Sequence, residues 1–260
     1  MQIDVIVTAG GIPAEGDPLY PHTQGRSKAL LEVAGQPMIQ WVLDALSGAG
    51  RVGRVVVVGL TGEAGLTCGK TLGFVPNQGD MLNNMRAGAR WILGQDSRAT
   101  HALVASSDIP AITPEMVNWS VDTALQSDHD FYYSIIEKSV MEKRFPGSNR
   151  TYTKLKGLTV CGGDLNMVRT HLVADESELW TRIVDARKSV WKQASLLGLE
   201  PLVLMLTRQL TVERAERIAL KRLKIRAKAL LSPYAEIGMD VDKPHQLELL
   251  AADLAVRTVT

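Results

Sequence analysis

Two kinds of residue in this chain are suited to handling a phosphate ester. Gly10 and Gly11 follow the β-branched run at residues 3–7, so their N–H groups can approach an anion without interference from a Cβ atom. Lys28 adds a mobile positive charge within reach of a phosphate. Asp108 follows the apolar run at residues 103–105, and carboxylate oxygens are the ligands that Mg²⁺ prefers. These residue types together predict a site for a phosphorylated ligand and a divalent cation.

A second acidic pair lies near the C-terminus. Asp240 and Asp242 alternate in the segment before Pro244, and alternate residues of an extended chain point the same way, so both carboxylates can face one site. Two structural interpretations stay open. Asp242 can simply cap the last helix, and Asp108 can stabilise the turn before Pro110.

Predicted strands and helices alternate along the first half of the chain, and these elements must position the residues named above. Apolar runs typical of buried parallel strands occupy residues 54–59 and 101–105, and a shorter one occupies 73–75. Helical spacing is found at 37–47 and 81–93, and a further helix begins at Thr113 and Pro114. This alternation predicts an α/β fold with a parallel core sheet and helices on both faces. Ligands of such sheets bind where the strands end.

The second half is less regular. The sequence predicts a strand at 131–136, a polar loop at 141–150, a strand and turn at 152–158, and an edge strand at 224–231. It predicts helices at 175–196 and 211–223, and a last helix that ends at residue 254. No linker rich in Pro, Gly and Ser separates the halves, so we expect one domain over 1–260.

Composition narrows the class of protein. The 260 residues are 45% hydrophobic and 22% charged, which is ordinary for a globular protein. The net charge is only +1, so global electrostatics gives no reason to expect binding of nucleic acid or stable insertion into a membrane. The two cysteines and the absence of a signal-like N-terminus favour a reduced, cytoplasmic location. The sequence leaves homo-oligomerisation open.

A family resemblance is visible in three segments: Ala9-Gly10-Gly11, Ser27-Lys28-Ala29-Leu30-Leu31, and Ala34-Gly35-Gln36-Pro37-Met38-Ile39. They resemble the nucleotidyltransferase superfamily, which includes MobA-like NTP transferases, methylerythritol-phosphate cytidylyltransferases and sugar-1-phosphate nucleotidyltransferases. The chain departs from the family where Ile12 follows Gly11 and where Ser27 replaces the usual proline before the lysine. Arg26 is a displaced candidate for the arginine missing from the glycine loop.

The resemblance implies a three-layer α/β/α, Rossmann-like fold, similar to nucleotide-diphosphosugar transferases, with a mixed, mainly parallel sheet. It implies a nucleotide-binding half at 1–125 and an acceptor-side half at 126–260. It implies Mg²⁺ (or Mn²⁺) held by Asp108 and Asp242, catalysis by Lys28 and Asp108, and transfer of a nucleoside monophosphate from an NTP to a phosphorylated small molecule. The implied nucleotide-binding residues are Ala9, Gly10, Gly11, Arg26, Lys28, Gln78, Asp80 and Asn83, and the implied acceptor-binding residues are Arg150, Lys154, Gly162 and Gly163.

Several alternatives stay open. Asp80 can serve only to cap its helix, and Arg150 with Lys154 can belong to a solvated loop. The altered glycine loop is compatible with a nucleotide-binding or regulatory module with weak catalysis. A glycosyltransferase that uses a nucleotide-sugar is a further alternative, although Ser106-Ser107-Asp108 lacks the first carboxylate of the Asp-x-Asp usual in that class.

Overall fold

The computed structural model describes residues 1–175 and 198–257. The strands within these residues are β1 Ile3–Thr8, β2 Glu32–Val33, β3 Gln36–Pro37, β4 Val52–Val58, β5 Leu72–Val75, β6 His101–Ser106, β7 Phe131–Glu137, β8 Thr153–Leu155, β9 Leu158–Gly162, β10 Leu165–Arg169 and β11 Ala227–Ser232. The α-helices there are α1 Tyr20–Thr23, α2 Met38–Gly48, α3 Met81–Gln95, α4 Pro114–Ala124, α5 Lys138–Arg144, α6 Thr170–Ala174, α7 Leu199–Leu206, α8 Val212–Leu223 and α9 Pro244–Arg257. The helix predicted at 175–196 lies, from residue 176 on, outside the described residues.

One central sheet connects both halves of the chain. Its strand order is β5-β4-β1-β6-β10-β7-β9-β8. Strand β11 lies outside this order and pairs with β7. Strands β1, β4, β5 and β6 pair in parallel, as do β7 and β11, whereas β9 and β10 run against their neighbours. This mixed, mostly parallel sheet with flanking helices confirms the predicted fold class.

The sheet is covered on both faces. Val5 and Val7 of β1 are fully buried and pack in one apolar cluster with helices α2 and α4. Ile6, between them, points to the other face and packs with α3 and α6. This alternation is the two-residue period of a strand, and burial on both faces explains why β1 is almost entirely apolar.

Several predicted helix boundaries are confirmed by their caps. The side chain of Thr113 accepts a hydrogen bond from the N–H of Met116, at 3.4 Å, and Pro114 occupies the first turn of α4. Thr211 caps α8 in the same way through the N–H of Arg214, at 3.2 Å. A threonine at this position satisfies one of the N–H groups that the first helical turn leaves without an intrahelical partner.

Two features of the second half differ from the sequence-based predictions. The polar loop predicted at 141–150 is wrong in its first part, because α5 extends to Arg144. Met141 and Phe145 are buried one helical turn apart, and this pair fixes the segment as a helix despite its many polar residues. Strand β10 was not predicted, and it separates β6 from β7 in the centre of the sheet.

Candidate active site

The site begins where two parallel neighbours end. Thr8 of β1 pairs with Ser106 of β6, so the residues after both strands emerge at the same sheet edge. The N–H of Ser107 donates to the carbonyl of Thr8 at 3.2 Å, and the hydroxyl of Ser106 donates to the carboxylate of Asp108. Asp108 is buried, with 7% of its surface exposed. Strand pairing therefore holds Asp108 beside the glycine loop.

The loop after β1 is tied to Lys28. Ser27 donates its hydroxyl to the carbonyl of Ala9 at 2.9 Å, and the N–H of Lys28 donates to the carbonyl of Gly11 at 2.9 Å. Ser27 also caps the short 3₁₀-helix Lys28–Leu30. These bonds orient the lysine side chain back across the end of the sheet.

The amino group of Lys28 lies between two carboxylates. Its Nζ is 2.5 Å from Oδ2 of Asp108 and 3.0 Å from Oδ1 of Asp242. Burial lowers the pKa of Lys28, but the negative charges and hydrogen bonds of the two aspartates outweigh that effect, so the pKa is raised overall. The lysine is therefore firmly protonated, with 17% of its side chain exposed.

A third carboxylate completes the cluster. Oxygen atoms of Asp108, Asp240 and Asp242 lie within 4.8 Å of one another. The N–H of Val241, which is fully buried, donates to the carbonyl of Asp108 at 3.0 Å and fixes the acidic segment against the end of β6. The side chain of Gln246 accepts from the N–H of Asp242 at 2.9 Å. Carboxylate oxygens at this spacing are a donor set that fits Mg²⁺ or Mn²⁺.

Arg150 distinguishes between the two C-terminal aspartates. It forms an ion pair with Asp240 through Nη1, and the two side chains are only 13% and 12% exposed. Asp242 is 56% exposed at its side chain and faces Lys28. The charge of Asp240 is therefore already neutralised by the protein, whereas Asp108 and Asp242 share a single lysine.

Asp164 lies at the turn between β9 and β10, next to Arg150. Its Oδ2 is 4.0 Å from Nη2 of Arg150, and 36% of its side chain is exposed. Burial, and then the negative charge of Asp108, raise the pKa of Asp164 to about 7, although the positive charge of Arg150 opposes the shift. Asp164 was not among the site residues predicted from the sequence. In the sequence, the signal that could have identified Asp164 as a site residue was its position directly after the predicted site residues Gly162 and Gly163.

A cavity of about 410 Å³ opens beside these residues. Its walls come from the ends of β1 and β6, from Lys28, and from the start of α3. The lining includes Gly10, Gly11, Lys28, Asp80, Asn84 and Asp108. The glycine loop, the lysine and the buried aspartate predicted from the sequence thus share one space.

The far wall of the cavity is held by a pair of asparagines. The side chain of Asn77 donates to the carbonyl of Gly10 at 3.1 Å, and Asn84 donates to Oδ1 of Asn77 at 3.1 Å. A Cβ atom at Gly10 would overlap the amide of Asn84, so this approach requires glycine. Asn77 was not singled out from the sequence, because one amide in a polar loop gives no pattern.

Other predicted nucleotide-binding residues have structural partners. Asp80 caps α3 by accepting from the N–H of Asn83 at 2.9 Å, and its second oxygen accepts from the amide of Asn83 at 2.8 Å. The amide of Gln78 donates to the carbonyl of Pro76 at 2.7 Å. Capping by Asp80 is therefore real, and it leaves the residue on the cavity wall.

Several predicted site residues are absent from the lining of this cavity, and two of them line separate depressions. Arg26 donates to the carbonyl of Thr23 at 3.3 Å and lines a separate depression. Lys154 is exposed on β8, beside Glu137 and Arg208. Neither residue lines the cavity of the glycine loop.

The sheet, with its glycine loop, lysine and acidic cluster at one edge, defines a member of the nucleotidyltransferase superfamily. Residues 7–223 match the MobA-like NTP transferase domain, and the chain belongs to that family. No curated protein matches the chain.

Solved structures agree with the family. A hypothetical transferase from Thermus thermophilus is 34% identical, with a TM-score of 0.82 over 95% of this chain and 100% of that one. A CMP:2-keto-3-deoxy-manno-octonic acid synthetase complexed with CTP is 16% identical, with a TM-score of 0.58 over 98% and 100% of the two chains. A 4-diphosphocytidyl-2C-methyl-D-erythritol synthase from Anaerococcus prevotii is 10% identical, with a TM-score of 0.58 over 97% and 96%. The last two show the fold alone.

Among the helices in the described part of the chain, none is both long enough and apolar enough to cross a bilayer.

Proposed function

We propose that this protein transfers a nucleoside monophosphate from an NTP to a phosphorylated small-molecule acceptor and releases pyrophosphate, with Mg²⁺ or Mn²⁺ as cofactor. The observation that carries the proposal is the position of Lys28 between Asp108 and Asp242, at the sheet edge where Gly10 and Gly11 border the cavity. A cation, two carboxylates and a glycine loop are the groups that a triphosphate and its metal ion require.

The proposed reaction needs little covalent chemistry from the protein. A phosphate oxygen of the acceptor attacks the α-phosphorus of the NTP, the bond from that phosphorus to the bridging oxygen breaks, and pyrophosphate leaves. The nucleophile is already anionic, so no strong general base is required. Catalysis then depends on positioning and on neutralising charge.

We assign the two carboxylates Asp108 and Asp242 to the divalent cation. When bound, the cation supplies electrostatic stabilisation of the phosphoryl oxygens. Asp240 is near enough to contribute an oxygen, but its ion pair with Arg150 makes it the weaker candidate. Asp108 is held by Ser106 and by strand pairing, so its oxygens are preorganised.

The remaining residues have roles in binding. The N–H groups of Gly10 and Gly11 would donate to the triphosphate, and Lys28 would neutralise charge on the departing pyrophosphate. We assign the nucleotide to Ala9, Gly10, Gly11, Arg26, Lys28, Gln78, Asp80 and Asn83, and the acceptor to Arg150, Lys154, Gly162 and Gly163. The positions of Arg26 and Lys154 away from the cavity make these two the weakest assignments.

Both halves of the chain contribute to the proposed site, which supports a single domain over 1–260. Lys28 and Asp108 come from the half at 1–125, and Asp242 and Arg150 come from the half at 126–260. The continuous sheet joins the two halves through β10, which pairs with β6 and β7.

A thermal-shift screen with ATP, GTP, CTP and UTP, each with Mg²⁺ or with EDTA, tests the binding step. A ligand at 100 times its Kd stabilises the folded state by about 2.7 kcal/mol, so the preferred triphosphate should raise the Tm in a metal-dependent way. Pyrophosphate release with a panel of phosphorylated acceptors then tests turnover. No Tm increase with any triphosphate would contradict the proposal.

The same assays separate the alternatives. A regulatory module would bind a triphosphate and release no pyrophosphate with any acceptor. A glycosyltransferase would be stabilised by a nucleotide-sugar and would turn over that donor instead of an NTP.

A further inference from the structure

Gln246 is a buried amide that contacts the acidic segment, residues 240–242. It is the third residue of α9, and only 2% of its surface is exposed. Its Oε1 atom accepts two hydrogen bonds, from the N–H of Asp242 at 2.9 Å and from the N–H of Lys243 at 3.0 Å. Its Nε2 atom donates to the carbonyl of Ser148 at 3.1 Å. One side chain therefore joins the acidic segment to the turn that follows α5.

The partners of Gln246 fix the orientation of its amide. Two N–H donors face one end of the side chain and a carbonyl faces the other, so the oxygen and the NH₂ group cannot exchange places. An ionised glutamate or a methionine would lack the donor, and an asparagine would be one methylene shorter. Glutamine is therefore the residue whose length and polarity match all three partners.

Helix capping explains one of these three bonds. A glutamine at the third helical position commonly accepts from the N–H of the residue before the helix, which is Lys243 here. The bond from Asp242 lies one residue beyond the helix end. The bond to Ser148 connects segments that are 98 residues apart in the chain. These two bonds fix the acidic segment in the tertiary structure, which capping of α9 does not require.

Asp242 depends on its backbone for its position more than Asp108 does. Asp108 is buried and accepts from the hydroxyl of Ser106, whereas the side chain of Asp242 is 56% exposed. The N–H of Val241 donates to the carbonyl of Asp108 at 3.0 Å and holds the acidic segment to the end of β6. The bond from Asp242 to Gln246 holds the next residue of the segment. A carboxylate that is already in place when a cation arrives loses less conformational entropy on binding.

We propose that Gln246 is a positioning residue of the candidate cation site: by bonding to the N–H of Asp242 and the carbonyl of Ser148, it holds the Asp242 carboxylate opposite Asp108. The inference rests on the proposed function. Two N–H groups already engage the oxygen of Gln246, so Gln246 acts through Asp242 and does not bind the ion itself. Removing a hydrogen-bond partner of a metal ligand typically weakens metal binding by about 10- to 100-fold.

Gln246→Met tests the proposal without turnover, because it removes all three bonds and keeps an apolar side chain of similar length. Without nucleotide, the affinity for Mn²⁺, measured by electron paramagnetic resonance of the free ion, should fall by at least about tenfold. Gln246→Asn keeps a buried amide that is too short to reach both sides, so it should weaken Mn²⁺ binding as well and gives the same test if the methionine variant does not fold. Unchanged Mn²⁺ affinity in a folded variant would overturn the proposal.

Leu250→Ala is the matched control on the same helix. Leu250 is fully buried and lies one helical turn beyond Gln246, so its truncation opens a cavity and lowers the Tm. The Mn²⁺ affinity of this variant, measured well below its Tm, should equal that of the wild type. An equal loss of Mn²⁺ affinity in Leu250→Ala and Gln246→Met would reduce Gln246 to a general support of α9 and overturn the proposal.

A double variant tests whether Gln246 acts through Asp242. Asp242→Asn should itself weaken Mn²⁺ binding, and adding Gln246→Met should then have little further effect, because the carboxylate that Gln246 positions is already gone. The same fold-loss from Gln246→Met in both backgrounds would overturn the proposal, since a residue that acts independently of Asp242 gives additive effects.

Hydrogen exchange in EDTA gives a readout that needs no metal. In Gln246→Met, the N–H of Asp242 loses its acceptor, so it should exchange at least about tenfold faster relative to the amides of β1. An unchanged exchange ratio would overturn the proposal while leaving the proposed function intact. Absence of Mn²⁺ binding by the wild type is a different result: it would refute the cofactor of the proposed function, and this inference with it.

Discussion

The amino group of Lys28 is 2.5 Å from Oδ2 of Asp108, although 80 residues separate the two in the chain and each follows a different strand. The same amino group lies 3.0 Å from Asp242. The lysine thus occupies the space between the two carboxylates that we assign to a divalent cation. A metal ion bound by both aspartates would compete with Lys28 for the same oxygens, and it would free the lysine for the triphosphate.

Lys28→Ala should therefore have opposite effects on the two ligands. Without nucleotide, Mn²⁺ should bind more tightly, on the order of tenfold, because no protonated amine competes for Asp108 and Asp242. Triphosphate binding with Mg²⁺ should weaken, because a positive charge near the phosphates is lost. Electron paramagnetic resonance of free Mn²⁺ and calorimetry measure the two affinities. Lys154→Ala is the control, and an unchanged Mn²⁺ affinity in Lys28→Ala would refute the competition.

Asp108→Asn should reduce kcat by three orders of magnitude or more, since a metal ion held there would supply several kcal/mol of charge stabilisation (about 1.4 kcal/mol per tenfold). The pairing of Asp108 with Lys28 also contributes to stability: in EDTA the Tm of Asp108→Asn should fall by several degrees, because one partner of a largely buried pair is removed. Calorimetric scans measure this change. Asp122→Asn, which breaks an exposed pair with Arg51, should cost less than about 1 kcal/mol. Full activity of Asp108→Asn would remove it from the site.

The stability of the protein should depend on pH through Asp164. Its pKa rises from 3.8 to about 7 on folding, so the folded state binds the proton more tightly. The stability that this provides is complete below the unfolded pKa of 3.8 and is lost as the pH rises through about 7. In EDTA, as the pH rises from 3.8 to about 7, the Tm of the wild type should therefore fall relative to the Tm of Asp164→Asn. Parallel Tm curves would contradict the prediction. Mg²⁺ should reduce the difference, because it neutralises Asp108.

Arg150 and Asp240 should behave as a coupled pair. Both side chains are nearly buried, so Arg150→Met or Asp240→Asn alone should cost about 3 kcal/mol by leaving a charge without its partner. The double variant should cost less than the sum by at least about 1 kcal/mol. Urea denaturation of the four proteins measures the coupling. Lys154→Met, on the exposed strand β8, should change stability by no more than about 0.5 kcal/mol. Additive costs would show that the ion pair contributes nothing.

Gly10 and Gly11 should tolerate alanine differently. A Cβ atom at Gly10 would overlap the amide of Asn84 and approach Oδ1 of Asn77 to 2.8 Å, whereas one at Gly11 would meet nothing within 4 Å. Gly10→Ala should therefore lower the Tm and weaken triphosphate binding, and Gly11→Ala should leave the Tm unchanged. Adding Asn84→Ala to Gly10→Ala should recover part of the Tm. Equal Tm values for the two single variants would argue against the steric explanation.

Much of the part of the site around Gly10 and Asp108 was determined by the sequence itself. A buried strand carries its own signal in unbroken apolar runs, and parallel neighbours must end at the same sheet edge. Gly10 and Asp108 each follow such a run, so the pattern of strands was enough to predict that they lie close together. The family was visible in the segments around Lys28.

The tertiary structure decided what local patterns do not encode. No spacing rule relates Lys28 to Asp242, or Arg150 to Asp240, because both pairs form only when distant segments meet at the end of the sheet. The same holds for β10, whose short sequence gains its place from pairing with β6 and β7. From the sequence alone, a charged residue can be interpreted equally well as solvated or as functional. Its partner, its burial and therefore its pKa are properties of the folded contacts, as Asp164 shows.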